Sequence, residues 1–598
     1  MPGQKRTRLT RFLIWRLKYI SHKQFVFVLS IAIGFLAGLA AVLIKNGTHF
    51  IQLLLEGKLI QEYHQAFYFI FPIFGLSLVY LLVKYVIKTR PTHGIPATLF
   101  AISKRKGLMK RFQMWGSLLA APITVGFGGS VGLEGPTVAT GAALSSNLSR
   151  MLHLNQATRT LLIGCAAAGA MASIFKAPIA AIIFAIEVFS LDLTLISLIP
   201  LLLASISASI TSHFFFGDDV LLPFSIEEGY ALSDIPFYIF LGVIAGLVSI
   251  YFTEMYEWIQ KQFDKVGSPI KRLFIGGIGI GILVYLIPPL YGEGFGVIND
   301  LVQGNPENAL RNNLFNLDLD NVWIVIALLV GLVFFKVIAS AFTFGAGGVG
   351  GIFAPTLFMG SILGNVVAKI INAINVFPNP VSESNFTLAG MTGLMAGVLH
   401  APLTAIFLIA EVTGGYELFI PLMITAAISF TLTKYFVPHS VYAMELGRKG
   451  ELITHNKDHA VLTLMDLKSI IETNFVSIKP EMTLGTIVKE AVVKSNRNIF
   501  PVVVEQTQEL AGIILLDDLR PIMFDQNLYE AVTAEELMKN PPATIHLGVD
   551  KMTDVMQKFQ DTSAWNLPVL SEGKYYGFVS KSKLLTAYRR KLIDFSTK

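Results

Sequence analysis

The chain has 598 residues, of which 53% are apolar and only 15% are charged, and its mean hydropathy is +0.60. About a quarter of the residues of a soluble protein are charged, so this composition excludes an ordinary soluble fold for most of the chain. The net charge of +6 fits contact with anionic lipid headgroups. No basic stripe interleaved with aromatic residues indicates nucleic-acid binding.

The N-terminal arm, residues 1–24, carries seven Lys or Arg residues and no acid. Because Lys and Arg concentrate on the cytoplasmic side of membranes, this arm is predicted to be cytoplasmic. The uncharged run Phe25–Ile44 that follows is twenty residues long, about what a helix needs to cross a hydrocarbon core of ~30 Å. Twenty residues is long for a signal-peptide core, so we interpret the run as a retained spanning helix.

A second compositional feature is a change in charge density near residue 450. Long uncharged runs fill the chain before it, whereas Lys, Asp and Glu recur every few positions from Glu451 onward. This change predicts a membrane domain over residues 25–450 followed by an aqueous tail. The lone Cys165 excludes an intrachain disulfide and is predicted to be a small buried thiol.

The membrane part repeats itself. Lys176–Val188 aligns without gaps to His400–Val412 at an offset of 224 residues, and Gly126–Thr137 aligns to Gly345–Thr356 at an offset of 219. Two matched pairs in the same order indicate a duplicated membrane unit. Internal repeats with Gly- or Pro-interrupted apolar segments predict a transport site at the repeat interface.

Two segments of the first repeat look too short to span a bilayer. Only sixteen uncharged residues separate Arg159 from Lys176, and only ten separate Lys176 from Glu187. We therefore expect broken or re-entrant helices here. Irregular backbone is tolerated at membrane depth only in protein or along a watery cavity, so these segments should surround a pathway.

Three segments combine turn residues, Pro and an apolar helical run. They are His93–Pro96, Gly132–Pro136 and Gly351–Pro355. Pro suits a first helical turn, and Gly lets backbone amides approach a ligand. Each segment can present free N–H groups at the positive end of a helix, which favours an anion. Partial charges hold a halide weakly enough for it to leave again.

These segments resemble known signatures. Three signatures of the chloride channel and transporter (CLC) family are similar to Gly132-Leu-Glu-Gly-Pro136, Gly351-Ile-Phe-Ala-Pro355 and His93-Gly-Ile-Pro96. The segment that carries the family's pore tyrosine is similar to Ser440-Val-Tyr442. The resemblance implies an all-α polytopic membrane domain with an inverted internal repeat. It also implies a homodimer in the lipid bilayer, with one pathway for chloride or another small anion in each subunit and no metal or organic cofactor there.

The resemblance also assigns roles to residues. Glu134 is the implied gate, whose carboxylate competes with the permeant anion, and an ionisable residue inside a membrane segment is independently a functional candidate. Glu187 and Glu411 are symmetric partners in the repeat and are expected to be structural. The implied anion site is formed by His93, Gly94, Ile95, Ile352, Phe353, Ala354 and Tyr442.

Three positions depart from the family pattern. Leu133 replaces a basic residue, and Val188 replaces the glutamate that transfers protons in antiporters. Because a proton route through hydrocarbon needs a titratable relay, Val188 favours a channel over an antiporter. His93 replaces a serine and leaves two alternatives open, a donor to the anion or a cap on a neighbouring carbonyl. It also leaves the preference among chloride, nitrate and fluoride open.

The tail contains a second repeat, in which short β-rich runs alternate with helical segments. It resembles a tandem pair of cystathionine β-synthase (CBS) modules, residues 466–530 and 535–592, forming an α/β cytoplasmic pair. The resemblance implies an adenine-nucleotide site with Asp518 in the first module and Ser580 in the second. Leu515 and Lys583 replace the other residue of each motif, so nucleotide binding and a purely structural contact role both stay open.

The chain has no His-Glu-x-x-His metal motif, no Gly-x-Ser-x-Gly elbow and no Walker loop, so an enzyme is not predicted. The prediction is a voltage- or pH-gated chloride channel with a glutamate gate. The alternative is a proton-coupled chloride antiporter.

Overall fold

The structure is a computed structural model that describes residues 8–55, 64–89, 94–191, 194–217, 229–310, 320–375, 379–448, 462 and 465–596. The chain divides into two units, residues 1–451 and 452–598. Within the described ranges, nine helices are long and apolar enough to cross a membrane. The chain is therefore a multi-pass membrane protein, as the composition predicts.

The first half of the membrane unit is built from helices. These are α1 (Arg8–Tyr19), α2 (His22–Leu55), α3 (His64–Leu81) with a π-helical extension (Leu82–Ile87), α4 (Gly94–Lys104), a 3₁₀ turn (Arg111–Met114), α5 (Gly116–Gly126), α6 (Glu134–Met151), α7 (Gln156–Phe175), α8 (Pro178–Phe189) and α9 (Leu195–Phe216). The predicted span Phe25–Ile44 lies inside α2, which extends it at both ends.

The second half is again built from long and short helices. It contains a 3₁₀ turn (Leu232–Asp234), α10 (Ile235–Lys265), α11 (Pro269–Leu286), a 3₁₀ turn (Pro288–Leu290), α12 (Phe295–Val302), α13 (Pro306–Leu310), α14 (Val322–Gly345), α15 (Phe353–Ile374), α16 (Glu383–Leu399), α17 (Pro402–Val412), α18 (Phe419–Phe436) and α19 (Met444–Arg448).

One of the two short segments predicted from charge spacing is longer than expected. The sixteen-residue run after Arg159 belongs to α7, whose twenty residues suffice for a span. The prediction of a broken helix is wrong here because Arg159 sits in the first turn and donates to the carbonyls of Lys106 and Leu154. The second segment is α8, which has only twelve residues, and its repeat partner α17 has eleven.

The repeat is visible in the backbone. α7 and α16 both end at a residue in the left-handed region, Lys176 at φ 54° and His400 at φ 54°. Each is followed by a short helix with Pro in its first turn, at Pro178 and Pro402. The predicted duplication thus extends from sequence to local conformation, turn by turn.

Carboxylates at the ends of the two short helices join the halves. Glu411 of α17 accepts hydrogen bonds from the amides of Ile179 (3.0 Å) and Ala180 (2.9 Å) at the start of α8. Glu187 of α8 accepts in return from the amides of Leu403 (3.0 Å) and Thr404 (2.7 Å) at the start of α17. Each carboxylate satisfies orphan N–H groups at a positive helix end. The expectation of structural roles for Glu187 and Glu411 agrees with this reciprocal capping.

The tail contains two small sheets. In the first, β1 (Ile499–Val503) pairs antiparallel with β2 (Leu510–Leu515). In the second, β3 (Ile545–His546) runs parallel to β4 (Asn566–Ser571), which pairs antiparallel with β5 (Lys574–Ser580). The helical elements are Leu467–Ile470, α20 (Leu484–Ile487), Val488–Val492, α21 (Leu516–Leu519), Gln526–Leu528, α22 (Ala534–Leu537), α23 (Met552–Thr562) and α24 (Lys581–Ser596).

Each sheet has its own apolar core. Phe500, Val502 and Ile514 are fully buried in the first, and Leu567 and Val579 are fully buried in the second. The alternation of strand, strand and helix predicted from the sequence is therefore present twice.

Candidate anion site

The two Gly-rich loops of the repeat meet each other. The amide of Gly132 donates to the carbonyl of Gly351 at 2.8 Å, and the amide of Gly351 donates to the carbonyl of Gly132 at 2.8 Å. Two residues beyond each glycine a helix begins, α6 at Glu134 and α15 at Phe353. The crossing therefore brings two positive helix ends, one from each half of the repeat, to one point.

Glu134 lies at this crossing and is fully buried. Neither of its carboxylate oxygens makes a hydrogen bond with any part of the chain that the structure describes. The backbone N–H groups of Glu134 itself and of Ala354 face the carboxylate and stabilise its ionised form. A buried carboxylate without a hydrogen-bond partner is costly and needs a functional explanation.

The carboxylate fits only because its neighbours are glycines. A Cβ on Gly132 would collide with Oε2 of Glu134, and a Cβ on Gly351 would lie 3.4 Å from the same oxygen and 2.8 Å from the amide nitrogen of Gly135. Glycine is the residue that permits such close approach of backbone to a charged group.

The other predicted backbone ligands surround the same crossing. Gly94 packs so tightly on α6 that a Cβ there would collide with the carbonyl of Gly135. Ile95 is 1% exposed. Among the residues of the second loop, Ile352 and Ala354 are buried, and the buried ring of Phe353 packs against other aromatic side chains. The structure thus brings the starts of α4, α6 and α15 together.

Tyr442 is the predicted side-chain donor, and it precedes α19. It is buried, and within the described ranges its hydroxyl has no hydrogen-bond partner. It is close enough to Glu134 for the two groups to interact electrostatically. An unpartnered hydroxyl and an unpartnered carboxylate therefore share one buried region, which is polar enough to hold an ion.

Two predicted positions have other outcomes. His93 lies outside the described residues, so both readings of its imidazole stay predictions. Val188 is partly buried at the end of α8, and the carboxylate of the neighbouring Glu187 is bound to the start of α17. Among the described residues, no group of three or more His, Cys, Asp or Glu side chains could hold a metal ion.

Comparison with known proteins decides the family. The family described as voltage gated chloride channel matches residues 74–434, more than half of the chain. The chain belongs to this CLC family. Two CBS domains match residues 467–525 and 534–590. The resemblance stated from the motifs and the predicted fold class are both confirmed.

Relatives of this CLC protein carry two kinds of name. A putative chloride channel protein ClcB-like from Ralstonia nicotianae is 29% identical over 64% of this chain and 85% of its own. An H(+)/Cl(-) exchange transporter ClcA from Salmonella paratyphi B is 30% identical over 71% of this chain and 88% of its own.

Solved structures share the fold. A slow cyanobacterial Cl⁻/H⁺ antiporter superposes with a TM-score of 0.59 at 21% identity, covering 71% of this chain and 97% of its own. A eukaryotic CLC transporter gives a TM-score of 0.55 at 17% identity and covers 93% of this chain and 98% of its own.

Sequence reasoning missed two charged residues of this CLC chain, Glu293, which acts on Glu134, and Lys336, which acts on Glu293. Glu293 accepts a hydrogen bond at 3.0 Å from the amide of Leu133, the residue before Glu134. Lys336 is fully buried in α14, where its Nζ donates to the carbonyl of Gly292 at 3.0 Å. A lone cation in an apolar span is a functional candidate by default, so Lys336 carried a usable signal. Glu293 lies in a loop, and the sequence around it gave no signal of a functional role.

The two residues considered for a nucleotide have partners within the CBS tail. Asp518 forms an ion pair with Lys539 at 2.8 Å. The Oγ of Ser580 accepts a hydrogen bond from the amide of Lys583 at 3.3 Å, near the start of α24. Adenine-nucleotide binding stays a prediction.

Proposed function

We propose that the protein carries chloride across a membrane through the crossing of its two Gly-rich loops, with Glu134 as the gate. The observation that supports this most is the fully buried, unpartnered carboxylate of Glu134 between two positive helix ends. The names of two relatives, a putative chloride channel protein and an H(+)/Cl(-) exchange transporter, support the same substrate.

The gate works by competition for one site. The backbone amides at the starts of α4, α6 and α15 offer partial positive charge to one anion at a time. When the carboxylate of Glu134 is ionised, it is itself the anion held there. When Glu134 takes up a proton, it loses its charge and its advantage over chloride. The hydroxyl of Tyr442 donates to chloride from the other end of the buried region.

We propose uncoupled, channel-like chloride flow as the mode of transport. The reason is the absence of a titratable side chain at Val188, where the resemblance places the proton-transferring glutamate. The neighbouring Glu187 does not replace it, because its carboxylate is occupied by the amides of Leu403 and Thr404. Proton-coupled exchange is the second candidate, and the names of the exchange transporters among the relatives favour it.

The proposed assembly is a homodimer with one pathway in each subunit. The basic arm, residues 1–24, favours a cytoplasmic N-terminus, and the CBS tail is proposed to lie on the same side.

A reconstitution experiment separates the two modes. Purified protein in liposomes is given an outward chloride gradient, with chloride followed by an electrode and internal pH followed by a dye. We expect rapid chloride efflux once a potassium ionophore dissipates the voltage. We expect no proton movement that depends on the chloride flux. Uphill proton movement driven by the chloride gradient would replace the channel mode by exchange, and no chloride flux in any condition would overturn the proposed function.

A further inference from the structure

The loop that carries Glu293 is shaped to present this side chain. Gly292 and Gly294 on either side of it adopt left-handed conformations, with φ of 63° and 90°. These angles favour glycine strongly over other residues. The oxygen Oε1 of Glu293 then accepts the hydrogen bond from Leu133, directly before Glu134 at the start of α6.

Glu293 faces a cavity, whereas Glu134 does not. The cavity measures about 620 Å³, and its lining includes Glu293, Leu133, Lys45 and His49. Glu293 is partly exposed and Glu134 is fully buried. Glu293 therefore lines the cavity and contacts Leu133, the residue directly before the helix that Glu134 begins.

Ionisable groups from three helices lie around this position. Glu134 of α6 interacts electrostatically with Glu293, and so do Lys45 of α2 and Lys336 of α14. His49 of α2 lines the same cavity. The side chain of Lys336 is held in place by the carbonyl of Gly292 and by the ring of Phe358, 4.5 Å from Nζ. Two cations thus offset part of the cost of ionising Glu293, which its partial burial makes unfavourable.

We propose that Glu293 is a positioning residue that sets the pH at which Glu134 releases the anion site, and that it does so from the cavity side. The proposal rests on the proposed role of Glu134 as the gate. An ionised Glu293 repels the ionised form of Glu134 and so favours its protonated, open form. Carboxylates that interact in this way titrate as a pair, and the pH of the cavity acts on both.

The test is the pH profile of chloride efflux from liposomes that contain the full-length protein. Glu293→Gln removes the charge but keeps an oxygen that can accept from Leu133. We expect its half-maximal flux to move to lower pH by about one unit, a tenfold change in proton concentration, because like charges at close range shift titrations by this order. Glu293→Asp should lie between Gln and wild type. Glu307→Gln, an exposed acid on α13, is the matched control and should superpose on wild type.

Two further variants keep the proposal falsifiable. Lys45→Gln removes a cation that favours the ionised form of Glu293, so it should move the midpoint in the same direction as Glu293→Gln, to lower pH, but by less. In a Glu134→Gln background, Glu293→Gln should change nothing in the pH profile, since it acts through Glu134.

A Glu293→Gln profile that superposes on wild type, or a shift that persists without Glu134, would overturn the proposal. If Glu293→Gln does not fold, the direction in which Lys45→Gln moves the pH midpoint tests the proposal instead. If Glu134→Gln alone leaves flux and its pH dependence unchanged, the gate assignment fails instead, which is a separate result.

Discussion

The two halves of the membrane unit place the same backbone around different side chains at the centre of the molecule. Gly132 and Gly351 pair reciprocally, and Glu134 and Phe353 begin the helices that follow them. At this equivalent position one half supplies a carboxylate and the other supplies a ring packed against Phe175, with centroids 5.1 Å apart. The backbone donors are present twice, whereas the ionisable side chain is present once.

The short helices show the opposite behaviour. Glu187 and Glu411 occupy equivalent positions, have kept the same side chain and bind each other's helix starts. A residue that joins the halves is needed twice, because each helix start has its own orphan N–H groups. A residue that competes with a single anion is needed once. A position where the two repeats carry different residues therefore indicates a role in transport. A position where they carry the same residue indicates a role in joining the two halves.

The largest effect is expected from removing the reciprocal caps. Glu187→Ala and Glu411→Ala each leave two or more helix-start amides without a charged acceptor, so we expect each to lose about 3 kcal/mol of unfolding free energy. The two losses should be similar, because the contacts are reciprocal. Thermal unfolding in detergent measures them, with the exposed Glu417→Ala as the control. A loss from only one of the two would contradict the symmetric assembly.

A smaller effect is expected at the paired glycines, and here the halves should differ. In Gly351→Ala the new methyl meets the backbone nitrogen of Gly135 at 2.8 Å, so we expect a loss of about 1–3 kcal/mol. In Gly132→Ala it meets the carboxylate of Glu134, which can move, and the Cβ of Ala354 at 2.9 Å. Gly132→Ala should therefore lose less stability than Gly351→Ala does. It should also open at a higher pH than wild type.

Detergent unfolding and the pH profile of flux separate these two outcomes. Gly331→Ala is the matched control, because a Cβ there meets nothing within 4 Å. Equal stability losses at Gly132 and Gly351, with unchanged pH profiles, would contradict the placement of the Glu134 side chain.

The sequence carried the fold well because its signals were local. Uncharged runs predicted the spans. The Gly-Pro segments and the internal repeat predicted the three convergent helix starts and the position of Glu134. The length of α7 was misjudged because Arg159 satisfies its charge on neighbouring carbonyls, a tertiary effect. Glu293 was missed for the same kind of reason, since only folding brings its loop to Leu133, 160 residues away.

The measurement closest to the central claim is chloride efflux from liposomes for wild type and Glu134→Gln between pH 4.5 and pH 8, at about half-unit steps around the range where carboxylates titrate in proteins. Gln resembles the protonated side chain, so the account predicts that wild-type flux rises as pH falls, while the flux of Glu134→Gln is high and nearly independent of pH. The same pH-dependent rise in both proteins would contradict the assignment of Glu134 as the gate.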